Sequence, residues 1–415
     1  MNLNLFIAKK IKGSGLSSTS NGIACVSVAI SIAVILAAVA ISGGFKKEIG
    51  KRAAGFTGEI LMTVPGMDYM NDVYPLQADM SYLPDIKRIP GVESVNETAY
   101  KPGMIKEGSD VHGVMFKGVD STYSLDFFAD FITDGALPDF SGERISDQVL
   151  ISKRLAVMLG YGVGDRISVY FIGEQVRVRK LVIAGLYDIQ LEDMDERLAL
   201  MDIRQVRRLN GWDEHDVSCL EISLGGDGGK AAARRRAEVY DAVGEIIMTE
   251  DQPLDAPVVV RQISEIYPGL FDWLALLDLN VLVVMILMMA VAGFNMISSL
   301  LIILFERISM IGLLKSLGMR TVSICKVFIY RGGAIVLRGM VWGNAVALVL
   351  LAVQKWLKPF RLNPVNYFVD FIPVELNPVH ILLVDASAFI LMLLIMIVPS
   401  LFVARVSPDR TIKVS

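Results

Sequence analysis

The chain has 415 residues, 53% of them hydrophobic and only 20% charged, with a mean hydropathy of +0.51, a balance too apolar for an ordinary soluble protein of this length. The net charge of −4 supplies no basic field for holding nucleic acid, which is excluded as a partner. Cys25, Cys219 and Cys325 sit in an apolar run, a polar stretch and a basic stretch, so no disulfide framework is expected.

A helix crossing about 30 Å of hydrocarbon needs about 20 mostly apolar residues, and four segments qualify. Gly22 to Ile41 carries no charge and marks the first span, taken as 22–45, after a cytoplasmic N-terminus of 1–21. Lys9, Lys10 and Lys12 ahead of it, and Ala38-Val39-Ala40 within it, leave a cleavable leader as the competing reading. The apolar run is longer than a usual signal core, which favours a retained span.

Residues 46–262 are long enough for a core of their own. Strands are expected at 59–64, 114–119, 149–151, 167–172 and 176–186, with helices at 79–90 and at 152–159, the latter stopped by Gly160. This predicts a mixed α+β domain. No constellation in it makes an active site. His112, His215 and His380 are scattered, and no paired-histidine or paired-cysteine metal spacing occurs. Glu192, Asp193, Asp195 and Glu196 lack the glycine of a calcium loop and read as a solvated loop. The run Gly225 to Lys230 has Ala231 where a phosphate loop needs Ser or Thr, and reads as a linker.

The second span opens with a stalk. Ile263, Ile266, Leu270, Leu274, Leu277 and Val281 recur three or four apart, predicting one long helix over 263–305 with a bend near Pro268. A loop at 306–327 follows, then a third span at 328–353, a short connection at 354–380, a fourth span at 381–404 and a tail at 405–415. Arg338 is the one charge placed deep in a span. Two readings stand for it: snorkelling or helix contact, and a working transport path. Lys and Arg are in modest excess before span one, after span two and in the tail, which puts the termini in the cytoplasm and 46–262 outside.

In the 306–327 loop, Ile308, Ile311 and Leu314 recur at helical spacing and Gly318 supplies a stop. A short amphipathic helix of this kind either lies on the membrane surface or docks a cytoplasmic partner, and its pattern alone does not separate the two.

The segment from Glu306 to Arg320 resembles the coupling helix of FtsX-like ABC transporter permeases. Other stretches resemble the same family in the right order: Ile41 to Ile49, Val149 to Ile167 with its Val163-Gly164-Asp165 step, Phe294 to Leu300, and Pro399 with Ser407-Pro408. The resemblance is nearest to lipoprotein-releasing permeases of the LolC/LolE type, then to MacB-type permeases. It implies an α-helical transmembrane protein with four spans, sited in a bacterial inner membrane, with a large extracytoplasmic mixed α+β domain between spans one and two. It also implies no catalysis and no bound cofactor in this chain, with ATP and Mg held by a separate cytoplasmic ABC ATPase. That partner would couple at Glu306, Arg307, Ile308, Ile311, Gly312, Leu314, Lys315 and Gly318. A second permease copy or paralogue would complete a dimer, with an acylated lipoprotein or a periplasmic carrier as further partner. Two readings stand for Met285, Met288 and Met289: the lining of a vestibule, since methionine adapts to irregular acyl surfaces, and plain helix packing or contact with membrane lipid. Two other outcomes stay open under the same resemblance: mechanical regulation of a cell-wall hydrolase, and MacB-like export of peptides or small molecules. One departure stands out. The connection at 172–175 is short where the chaperone-recruiting permease carries a long extension.

Overall fold

The computed structural model describes residues 16–65, 70–107, 110–173, 175–225, 230–249 and 257–401. The N-terminal lysines, the glycines of 226–229 and the tail from residue 402 lie outside the described residues. The chain forms two compact units: one of Met1–Phe45, Trp273–Arg361 and Ile372–Ser415, the other of Lys46–Asp272 and Leu362–Phe371.

Helix α1 spans Leu16–Thr57, well beyond the apolar run that hydropathy marks. It continues past the run because Phe45, Ile49, Ala53 and Phe56 recur three or four apart, and all four are buried. Gly58, at φ +73°, ends it: the left-handed turn returns its N–H to the Ala54 carbonyl at 2.7 Å.

In the unit of 46–272, strands β1 (Ile60–Thr63), β2 (Val92–Glu107), β3 (Asp110–Val119), β4 (Ile132–Gly135), β5 (Gln148–Ser152), β6 (Arg166–Phe171), β7 (Arg177–Tyr187), β8 (Leu198–Asp202), β9 (Cys219–Leu224) and β10 (Val259–Gln262) join in one sheet. Its order is β10-β1-β9-β2-β3-β8-β5-β7-β4, and β6 bonds both β2 and β7. That last pairing closes β2-β3-β8-β5-β7-β6 into a six-stranded ring. Long strand β2 belongs to two halves: residues up to Thr98 pair with β9, and residues from Ala99 pair with β3.

Alternate residues fill the ring, as a period of two requires. Ile105, Val114, Phe116, Val149, Ile151, Val169, Phe171, Leu181 and Ile183 are all buried there. Gly103 makes room: a side-chain carbon on it would meet Val169, Phe116 and Phe171 within 2.9 Å. Helices α2 (Lys153–Leu159), α3 (Ile203–Asn210) and α4 (Lys230–Thr249) pack on the strands through Leu155, Val206 and Val239 among others. Ser152 caps α2, accepting from the Leu155 N–H at 3.0 Å, and Gly160 closes it at φ +68°.

The expected single stalk helix is broken. A short turn at Ile263–Ile266 ends at Tyr267, and a new helix, α5 (Pro268–Glu306), starts on the proline. Proline has no N–H for the preceding turn and pushes the residue before it out of the helical region, so it serves as a helix start. After α5 come α6 (Ile308–Ser316), α7 (Thr321–Leu357) and α8 (Pro378–Ser400). Among the described residues, α1, α5, α7 and α8 are the four helices long and apolar enough to cross a membrane.

In this second unit the helices pack through glycine and a few polar pairs. Gly339 and Gly343 of α7 lie one turn apart against α1. A side-chain carbon on Gly339 would come within 2.8 Å of the Cys25 carbonyl, and one on Gly343 within 2.6 Å of the Ala29 carbonyl. Asn295 of α5 donates to Ser27 of α1 at 2.6 Å, and Asn344 of α7 donates to Asp385 of α8 at 3.1 Å. Such bonds satisfy polar groups that lipid cannot.

Candidate functional site

Helix α6 sits between two spans and ends in a Schellman turn. The Met319 N–H returns to the Leu314 carbonyl and the Gly318 N–H to the Lys315 carbonyl, each at 3.0 Å, with Gly318 at φ +83°. The residues expected to meet an ATPase divide between two faces. Ile311 and Gly312 are buried, and Ile308 and Leu314 pack against the same apolar cluster as Leu300, Ile324 and Phe328. Arg307 and Lys315 are half-buried, and Glu306 and Gly318 are exposed. The outward face is therefore Glu306, Ser309, Leu313, Ser316 and Leu317, at spacings of three, four, three and one. Leu313 is 58% exposed and Leu317 is 75% exposed, so this small face shows apolar surface.

Of the three methionines, Met289 is buried, and Met285 and Met288 pack partly against the same cluster. The exposed stripe of α5 runs instead through Leu279, Val283, Ile286, Leu287, Val291 and Phe294.

In the large unit, the sequence reading missed a junction built on α1. Arg52 is only 4% exposed. Its guanidinium donates to the Ile189 carbonyl at 2.8 Å, Gln190 Oε1 at 2.8 Å, the Phe368 carbonyl at 3.1 Å and Glu48 at 3.1 Å, and it lies over the Phe131 ring. Two of those partners are strained: Gln190 and Phe368 have φ of 65° and 59°, where non-glycine residues are rare.

One turn on, Phe56 enters an aromatic cluster with Phe127, Phe128 and Tyr187, its ring centroids 5.6 to 6.4 Å from theirs. Its carbonyl accepts from Lys117 Nζ at 2.5 Å. A cation there suits the negative end of the helix. Lys117 is wholly buried and also bonds Glu221 at 2.8 Å and Tyr123 at 3.0 Å, while Tyr100 donates to the other Glu221 oxygen at 3.1 Å. Burial works to lower the Lys117 pKa, but the Glu221 charge and these bonds hold it above its ordinary value. The Tyr123 hydroxyl is pushed up to about 12 by burial, with Glu221 adding to the rise.

Ile266, Tyr267 and Phe368 pack on the cluster that holds Phe56. The ends of α1, of the segment before α5 and of the 362–371 segment thus meet in one core within this unit.

The acidic loop also differs from expectation. Asp195 is 2% exposed, its carboxyl pushed up to about 7 by burial and then by the Asp188 charge. The Asp195 backbone carbonyl accepts from the Ser152 hydroxyl, which ties the loop to α2.

Two family models cover most of the chain: the MacB-like periplasmic core domain over residues 22–240, and the FtsX-like permease C-terminal domain over 282–408. The chain belongs to the FtsX-like permeases with a MacB-like periplasmic core. It is 20% identical to the lipoprotein-releasing system transmembrane protein LolC of Neisseria meningitidis, over 97% of this chain and 96% of that one. It is 21% identical to LolE of Haemophilus influenzae, over 93% and 92%. The periplasmic region of MacB from Actinobacillus actinomycetemcomitans is similar at a TM-score of 0.33, with 10% identity over 51% of this chain and 91% of that one. This FtsX-like permease is an integral membrane protein with a periplasmic domain between its first and second spans.

The permease's Arg52 and Lys117 junction joins residues up to 316 positions apart, which no local spacing signals. The Gly339-x-x-x-Gly343 step was visible in the sequence as a helix-packing pattern.

Proposed function

We propose that this chain is the membrane subunit of an inner-membrane ABC transporter that releases lipoproteins from the outer leaflet, driven by a separate cytoplasmic ATPase. The observation that carries the reading is the outward face of α6, an apolar and acidic strip of a few residues held between two spans by its own buried side. Full-length likeness to LolC and LolE supports the substrate class. In this reading the ATPase touches Glu306, Leu313 and Leu317, while Ile308, Ile311, Gly312 and Leu314 transmit its movement to the bundle. ATP and Mg stay on the ATPase, and this chain needs no cofactor.

Pulling an acyl chain from a bilayer costs about 0.8 kcal/mol per CH₂, so a multi-acyl anchor needs external work. A second copy or a paralogue would face the exposed stripe of α5 across a vestibule, with Met285 and Met288 at its border. In this reading the chain ends that meet around Phe56 and Arg52, inside the periplasmic unit, receive whatever force the helices deliver.

The test is to purify the permease with its neighbouring ATPase in nanodiscs and identify bound acylated protein by mass spectrometry. Acylated protein released on ATP addition supports the reading. Its absence, with ATP-dependent passage of a soluble peptide, would instead support MacB-like export, which the match to the MacB-like core favours as second reading.

A further inference from the structure

Between Arg331 and Lys355, α7 carries one charge, Arg338. It is exposed and Arg331 is half-exposed, and among the described residues neither guanidinium has a hydrogen-bond or ion-pair partner. The two are seven residues apart, which returns to the same face two turns on, about 10 Å along the axis. Trp342, one turn beyond Arg338 on that face, is 67% exposed.

Neighbouring helices fix the depth. Gly339 packs on the Cys25 carbonyl of α1, so Arg338 lies level with Cys25. Toward the periplasmic side, the polar contact of Ser42 with Asp278 marks one edge of the apolar zone. Cys25 lies seventeen residues from Ser42 along α1, about 26 Å of a hydrocarbon core about 30 Å thick. Just beyond Cys25 the chain turns polar, with Ser17, Ser18, Thr19, Ser20 and Asn21. Arg338 is thus about one turn inside the opposite edge of the core, and Arg331 lies outside it. Side chains on a helix lean toward its N-terminus, so Arg338 leans toward Arg331 and away from the bilayer centre.

We infer that Arg331 and Arg338 form a binding site for the phosphate of an anionic phospholipid in the leaflet opposite the periplasmic domain, with Trp342 against its glycerol and upper acyl region. Two guanidiniums on one lipid-facing surface, each lacking a carboxylate, call for an anion, and a phosphodiester offers the planar pairing that arginine takes best. The acyl chains lie along the exposed Leu337, Val341 and Trp342. This site is independent of what the transporter carries.

The test uses the full-length permease in detergent, mixed with equal phosphatidylglycerol and phosphatidylcholine and examined by native mass spectrometry. Wild type should retain phosphatidylglycerol in preference, unaffected by inorganic phosphate. Arg338→Gln and Arg331→Gln should each cut that retention about fivefold, the ratio corresponding to about 1 kcal/mol per basic residue at an anionic surface. Arg338→Lys, which keeps the charge but loses the paired N–H fork, should fall between wild type and Arg338→Gln, and Lys355→Gln should change nothing. Equal retention of both lipids, or full retention in Arg338→Gln, overturns the site. So does loss of permease pairing in Arg338→Gln with lipid retention intact, which would assign the guanidinium to a carboxylate of a second subunit. A measurement needing no arginine variant is quenching of tryptophan by brominated lipid. Brominated phosphatidylglycerol should quench wild type more than brominated phosphatidylcholine, and Trp342→Phe should remove the difference. Equal quenching contradicts the site.

Discussion

Lys117 and Glu221 show what a buried ion pair commits a core to. With the Phe56 carbonyl, Tyr123 and Tyr100 around them, every charge in the group has a partner. Removing one side leaves the other charged and dry, which typically costs about 3–5 kcal/mol. Lys117→Met should therefore lower the unfolding free energy by that amount, and adding Glu221→Gln should restore a good part of it. Equal losses in the single and double variants, by denaturant titration, would refute the coupling. Asp195 works in the other sense. Its folded-state pKa is about 7 against an ordinary value near 4, so the folded state binds the extra proton between those values. Its contribution is favourable at low pH and is lost as pH rises through about 7. Asp195→Asn should melt higher than wild type at pH 8 and close to it at pH 4.5. A difference that does not change with pH would mean the carboxyl is not buried as described. Neither residue was legible as special. Lys117 lies in a strand whose partners come from residues 56, 123 and 221, and Asp195 reads like any other member of an acidic loop.

At the scale of elements, the sequence was clearest where local chemistry is decisive. Gly160 was legible as a helix stop and is one, because its left-handed turn needs no partner elsewhere. Strand β2 was not legible: Pro102 and Gly103 look like a turn, yet both lie in its middle, where the ring needs a residue without a side chain. The stalk reads as one helix bent near Pro268 because its apolar period runs through the proline, while the backbone rule for proline turns the bend into a break there. In the bundle, Gly339→Leu should drive a side chain into α1 and cost about 1–3 kcal/mol, read as a lower melting temperature in detergent. Ala334→Leu, on the exposed side of α7, should change it little, and equal effects would show that α1 does not pack there. On α6, Leu317→Asp should leave stability within about 0.5 kcal/mol and abolish copurification of the ATPase. Undiminished copurification would move the docking face elsewhere.

For the whole molecule, four spans with an inserted domain were legible because apolar length alone marks them, whereas the Arg52 junction inside the domain was not. Arg52 bonds atoms from three separate parts of the chain, two of them at strained residues. Arg52→Ala should lower domain stability by about 2 kcal/mol, the loss expected for charged hydrogen bonds. If the junction carries force, the variant's ATPase turnover should persist while substrate release falls. Proportional loss of both activities would make Arg52 a folding residue only.

Closing six strands into a ring has a consequence for recognition. Strand pairing commits most of the backbone in the ring, with the edge at 110–114 paired on one side only, and the outermost strands of the sheet, at 132–135 and 259–262, are four residues each. An extended polypeptide therefore finds little exposed main chain to zip onto. A partner meeting this domain is therefore gripped mainly through side chains, which ties recognition to the partner's own sequence.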